Sequence, residues 1–125
     1  MTGKDKKILI IDDDSRNVFA LSAVLRSRGY KCVSAAGGPE GLSLLAAQED
    51  IGIILMDMMM PEMDGYTAIP LIKKQDKLKS VPVVAVTAQA MVGDREKCLE
   101  AGADAYISKP VDVDKLLILL GQLLK

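Results

Sequence analysis

Short apolar runs alternate along the chain with longer stretches in which apolar residues return every three or four positions. Strand-length runs occupy 7–12 (KILIID), 30–35 (YKCVSA), 51–57 (IGIILMD), 82–87 (PVVAVT) and 103–107 (ADAYI). Between them 15–28, 39–48, 64–76 and 91–101 carry the helical period, and 112–124 adds a fifth helix. Runs with apolar residues at consecutive positions suit strands covered on both faces. The pattern therefore predicts an α/β fold of five βα units, (βα)5, a doubly wound five-stranded parallel sheet. These units fill 7–125 as one domain with no linker, and residues 1–6 (MTGKDK) read as a short flexible lead-in.

Punctuation supports the boundaries. Ser15 is placed to cap the first helix and Gly29 to end it, while Pro39 fits the first turn of the second. Asp64 is placed to cap the third helix and Asp112 the fifth. Pro70 lies six residues inside the third helix, where it removes a hydrogen bond and crowds the Tyr66 carbonyl, so a kink or a displaced start is expected.

Composition narrows the function. With 16 basic and 17 acidic residues the net charge is −1, so no basic field exists to hold nucleic acid. The longest apolar run near the N-terminus, Ile8-Leu9-Ile10-Ile11, is too short for a signal core or a membrane span, which predicts a cytoplasmic protein without membrane insertion. Cys32 and Cys98 lie far apart without CxxC spacing and read as small core hydrophobes. The chain has no histidine, so neither Ser-His nor Cys-His nor phosphohistidine chemistry can originate within it.

Candidate chemistry gathers at the strand ends. In an open parallel sheet the loops leaving the carboxyl ends of the strands converge on one rim. Those ends carry Asp12, Asp13 and Asp14, then Asp57, then Thr87, then Ser108-Lys109-Pro110. Carboxylates from Asp12, Asp13 and Asp57 beside a low-dielectric core repel one another unless a cation or a proton intervenes. A few oxygen ligands suit Mg²⁺, which binds one or two carboxylates plus a phosphate; calcium wants a fuller cage and zinc wants nitrogen or sulfur. Lys109 and Thr87 add a positive charge and a hydroxyl, groups that can stabilise the charge built on the phosphoryl oxygens during attack by the Asp57 carboxylate.

As a set, IIDDD, LMDMMMPEMDG, VVAVTA and AYISKP closely resemble the receiver domains of two-component response regulators, the CheY-like superfamily, over essentially the whole chain. The resemblance implies a flavodoxin-like three-layer sandwich with strand order 2-1-3-4-5. It implies that Asp57 is the phosphoacceptor, Asp13 the principal metal ligand with Asp12 assisting, and the Met59 carbonyl a third protein ligand, for Mg²⁺ or Mn²⁺ in its place. Thr87 resembles the switch hydroxyl, and Tyr106 the aromatic residue that swings inward with it. Lys109 resembles the ion-pairing lysine, followed by Pro110 in a cis peptide, and Asp14 reads as a neighbour or cap. The implied donor is a histidine kinase or a histidine phosphotransfer protein, docking beside Arg16 and Phe19 on the first helix. The implied output is an effector or a homodimer, engaged through the fourth helix, fifth strand and fifth helix. The chain carries no output domain, so it is expected to be a free-standing regulator or a receiver module of a hybrid kinase. The VxxTAxAMxGDxxKCLEAGA stretch and the Arg16-Asn17 pair look more like hybrid-kinase receivers than DNA-binding regulators.

Several features keep two readings. The last helix carries Val113, Leu116, Leu117, Leu120 and Leu124 on one stripe, widened by Ile118, Leu119 and Leu123, as a packed helix or a partner surface. Met56 to Met60 suit either loop packing or docking, and Val18 and Leu21 also fit a core stripe. For function, the alternative is a phosphohydrolase of the haloacid-dehalogenase type using Asp12 and Asp14. That reading leaves Asp57 and PEMDG unexplained and the chain has no room for a cap domain. A flavodoxin-like electron carrier would need a hydroxyl- and glycine-rich phosphate loop where the three aspartates stand.

Overall fold

A computed structural model describes residues 6–88 and 93–124. Ten elements alternate along the chain: β1 (Lys7–Ile11), α1 (Ser15–Ser27), β2 (Lys31–Ala35), α2 (Gly38–Ala47), β3 (Ile51–Asp57), α3 (Gly65–Lys73), β4 (Val83–Thr87), α4 (Asp94–Ala101), β5 (Ala105–Ser108) and α5 (Val113–Leu123). All sheet pairs are parallel, in the order β2-β1-β3-β4-β5. This is the flavodoxin-like α/β fold expected from the chain.

The two-residue period of the strands divides the core in two. Ile8, Ile10, Ile53, Leu55, Val84 and Val86 meet Leu21, Leu25, Leu116 and Leu120 on the face covered by α1 and α5. Leu9, Ile11, Ile54, Met56, Val83 and Ala85 meet Leu45, Ala68, Ile69, Ile72 and Cys98 on the face covered by α2, α3 and α4. Every residue of β4 is buried, as a central parallel strand demands, whereas edge strand β2 alternates between buried and exposed. Cys32 and Cys98 are free and buried. In α5 and the residue after it, Leu116, Leu120 and Leu124 are buried and Leu117, Leu119 and Leu123 pack against the same cluster, which favours the packed-helix reading; Ile118 stands out at 62% exposure. No helix among the described residues is long and apolar enough to cross a membrane.

Local chemistry accounts for the element ends. Asp14, not Ser15, caps α1: its extended backbone lets the carboxylate accept the Arg16 N–H at 3.0 Å, and Ser15 is already helical. Gly29 follows at φ +90°, where a side chain would be strained. The Tyr30 N–H bonds back to Leu25 O at 3.1 Å, so β2 begins one residue later than the pattern predicts. Asp64 and Asp112 cap α3 and α5 as expected, accepting from Thr67 N at 2.9 Å and from Asp114 N at 3.0 Å. Pro39 sits in the first turn of α2.

Helix α3 starts where its cap predicts and runs through Pro70, but it stops at Lys73 rather than at 76. There the Lys73 ammonium turns away to donate to Val81 O and Asp104 Oδ2, both at 2.8 Å, tying the end of the helix to the loops before β4 and β5. Strand β5 starts at Ala105 rather than at 103, because the Ala103 N–H is spent on Cys98 O at the end of α4. The expected first turn of α4 at 91–92 and residues 1–5 of the lead-in lie outside the described residues.

Candidate functional site

Strand register builds the site. Ile11 pairs with Met56 across β1 and β3, so the residues that follow, Asp12 and Asp57, leave the sheet side by side. Asp57 in turn pairs with Val86, one residue before Thr87 at the end of β4, and Thr87 pairs with Ser108, one residue before Lys109. Hydrogen bonds continue past the strand ends: Asp12 N–H to Ala35 O at 3.1 Å, Met58 N–H to Val86 O at 3.0 Å and Lys109 N–H to Thr87 O at 2.7 Å. The rim is therefore as firmly placed as the sheet.

Side chains converge there. Asp12 and Asp57 are each 4% exposed, Thr87 is fully buried and Asp13 faces solvent. One carboxylate oxygen from each of Asp12, Asp13 and Asp57 lies within 4.8 Å of the others. The Lys109 ammonium stands 3.4 Å from Asp12 Oδ2 and 3.6 Å from Asp57 Oδ2. The Met59 N–H donates to Asp57 Oδ1 at 3.1 Å. Asp12 Oδ1 accepts the Asp14 N–H at 2.9 Å, and Asp12 Oδ2 accepts the Asn17 amide at 2.6 Å. Asp14 itself turns outward to cap α1 and pairs with Arg16 at 3.7 Å.

Burial pushes the Asp57 carboxyl up to about 6; the Asp12 charge adds to the rise, while the Met59 N–H and Lys109 oppose it. A carboxylate so placed gains from any added positive charge. The three carboxylates supply hard oxygen donors and no nitrogen or sulfur, a set that fits Mg²⁺.

Around this centre the other predicted residues take separate places. The Lys109–Pro110 peptide is cis. Met58 and Met60 are buried loop packing, while Met59 is half exposed. Met58 lies so close to Gly65 that a Cβ there would run into its sulfur. Arg16 is exposed and Phe19 is 77% exposed on α1, flanking the rim rather than entering it. Beside them a groove of about 530 Å³ runs between α1 and the loop after β5, lined by Asp14, Asn17, Ala20, Lys109 and Pro110 among others.

Two residues of the neighbourhood escaped the sequence reading. Asn17 stands one turn after the acidic run, a place from which it reaches back to Asp12, and that spacing is its only signal in the sequence. Asp94 is buried at the start of α4 and accepts from the Tyr66 hydroxyl at 2.8 Å and the Tyr106 hydroxyl at 3.3 Å. Burial, and then the Asp94 charge and hydrogen bond, push the Tyr106 phenol up. Tyr106 is half-buried with its hydroxyl held toward α4.

Comparison with known proteins places this geometry. The family model of the response regulator receiver domain matches residues 8–120. The chain is 36% identical over 112 residues to the polar-differentiation response regulator DivK of Brucella anthropi, covering 90% of each chain. The signal receiver domain of a signal transduction histidine kinase from Syntrophus aciditrophicus superposes with a TM-score of 0.87 at 32% identity, over 95% of this chain and 89% of that one. The receiver domain of the sensor histidine kinase PA1611 from Pseudomonas aeruginosa, with a magnesium ion coordinated in its active site cleft, superposes with a TM-score of 0.86 at 36% identity, over 95% and 97% of the two chains.

Proposed function

The chain belongs to the response regulator receiver family, and we propose that within it Asp57 accepts a phosphoryl group from a partner phosphohistidine. The observation that carries the proposal is the Lys109 ammonium set between the buried Asp12 and Asp57 carboxylates, with Asp13 completing the acidic cluster. The donor must come from outside, because the chain has no histidine. A histidine kinase or a histidine phosphotransfer protein supplies it, docking over Arg16, Phe19 and the groove beside them.

An oxygen of Asp57 attacks phosphorus as the phosphorus–nitrogen bond of the donor breaks, and the imidazole leaves with the bonding pair. The product is an acyl phosphate on Asp57. Asp12, Asp13, Asp57 and the Met59 carbonyl are the ligands assigned to Mg²⁺, with Mn²⁺ able to replace it. When bound, that ion supplies positive charge among the carboxylates and along the phosphoryl oxygens. Lys109 and the Thr87 hydroxyl stabilise charge on the phosphoryl oxygens. The Met59 N–H, already on Asp57 Oδ1, keeps the acceptor carboxylate oriented.

Once the phosphoryl group is present, Thr87 turns toward it and Tyr106 follows inward. The face formed by α4, β5 and α5 then changes shape and engages an effector or a second copy of the chain. Residues 7–125 act as one cytoplasmic receiver unit, either free-standing or as the receiver module of a hybrid histidine kinase.

Labelling with acetyl phosphate and Mg²⁺ tests the reading. Label on the native chain that is lost in Asp57→Asn supports it. Label that survives in Asp57→Asn and disappears in Asp12→Asn would replace it with the haloacid-dehalogenase type of chemistry at Asp12 and Asp14. Asp14 is poorly placed for that role, since its carboxylate already caps α1.

A further inference from the structure

The rim holds polar contacts to Asp12 that phosphoryl transfer has not used. Asn17, in the first turn of α1, donates its amide to Asp12 Oδ2 at 2.6 Å. The Asp14 N–H holds the other oxygen at 2.9 Å. Asp12 is buried, so these two neutral donors fix an ionisable group that water hardly reaches. Lys109 shares Oδ2 from 3.4 Å while also reaching Asp57 at 3.6 Å.

The two partners of Oδ2 differ in kind. An ammonium orients a carboxylate but also cancels its charge, so it competes with a cation for the same group. An amide orients it through a dipole and leaves the full negative charge for a cation. Outer hydrogen bonds of this sort, to a ligating carboxylate, set its direction and tune metal affinity. The ammonium is also the group that an incoming phosphoryl would draw toward Asp57. Its departure would leave Oδ2 short of a partner in a buried place, and an unsatisfied buried acceptor is costly. Asn17 keeps that oxygen engaged when Lys109 goes.

We propose that Asn17 is a positioning residue for the acidic site: it holds Asp12 in a ligating orientation independently of Lys109. Asn17 thereby sets the affinity for the divalent ion and frees Lys109 to follow the phosphoryl group. The second half of this rests on Asp57 being the phosphoacceptor; the first half does not.

Calorimetric titration of the unphosphorylated protein with MgCl₂ tests the first half, comparing native chain, Asn17→Ala and Asn17→Gln, with thermal unfolding to show that all three are folded. The expected result is a loss of Mg²⁺ affinity on the order of 10- to 100-fold in Asn17→Ala. Most of that loss should be recovered in Asn17→Gln, which keeps the amide donor. In acetyl phosphate labelling, the same loss should raise the half-saturating Mg²⁺ concentration of Asn17→Ala rather than lower the maximal rate. A change in Mg²⁺ affinity smaller than about threefold, well under the usual effect of such contacts, overturns the assignment. A Gln variant as weak as the Ala variant overturns it too. If the native chain binds Mg²⁺ but takes no label at Asp57, the phosphoacceptor reading fails while the titration still decides the role of Asn17. If Asp57 is labelled with the same Mg²⁺ dependence in the native chain and Asn17→Ala, the Asn17 assignment fails alone.

Discussion

Replacing Asp57 by asparagine should make the metal-free protein more stable, by a gain that builds as pH rises from 3.8 to about 6 and is complete above that. Burial and the neighbouring Asp12 charge disfavour the Asp57 carboxylate more than Lys109 and the Met59 N–H favour it, so the folded group titrates at about 6 instead of the ordinary 3.8. Between those values the folded state holds more protons than the unfolded state, so stability falls as pH rises through this window. At about 1.36 kcal/mol per pH unit, the ionised group costs roughly 3 kcal/mol once pH is above 7. Below pH 4 that cost is absent. An asparagine keeps an oxygen for the Met59 N–H and leaves Lys109 its contact with Asp12. The Asp57→Asn gain should therefore be about 3 kcal/mol larger at pH 8 than at pH 4.

Urea unfolding in EDTA, followed by circular dichroism at both pH values, reads this directly. At a slope of about 2 kcal/mol per molar urea, the advantage appears as a midpoint difference of roughly 1.5 M that is present at pH 8 and gone at pH 4. Saturating Mg²⁺ should shrink it by stabilising the native chain. A variant less stable than the native chain at pH 8, or a gain equal at the two pH values, would refute the electrostatic reasoning.

Two further outcomes are expected, one at the rim and one at the Asp94 contacts. Lys109→Met should slow labelling by acetyl phosphate by about 10²–10³-fold, the scale for losing one charge-stabilising donor, while Mg²⁺ binding measured by titration stays intact or tightens because a competing cation is gone. Tyr66→Phe removes a hydroxyl from the buried Asp94 carboxylate and should cost about 1.5–3 kcal/mol in urea unfolding; a loss below about 0.5 kcal/mol would show that this contact contributes little.

What the chain discloses before folding depends on how local each cause is. Asp64 and Asp112 were legible as caps because cap and helix adjoin in sequence. The acidic rim was legible because a parallel sheet sends every strand end to one edge, so residues as distant as Asp12, Asp57 and Lys109 announce themselves by position alone. The choice between Asp14 and Ser15 turned on backbone geometry over one residue, which residue type does not decide. The early stop of α3 lies in the Gln75 N–H turning to Ile72 O, with Lys73 reaching on to Val81 and Asp104, and the Asp94 contacts join Tyr66 and Tyr106 from two other elements. Neither leaves a periodic trace. Asn17 lies between these cases: its partner is only five residues away, but the contact needs the turn after β1 to fold back over Asp12.

In the proposed chemistry a carboxylate from the end of β3 takes up phosphorus beside two carboxylates from the end of β1. Borohydride trapping after exposure to acetyl phosphate, followed by peptide mass spectrometry, asks which side chain carried the phosphoryl group. Reduction at Asp57 alone, dependent on Mg²⁺ and abolished by EDTA, is the expected result. Trapping at Asp12, or at Asp57 to the same extent without a divalent ion, would contradict it.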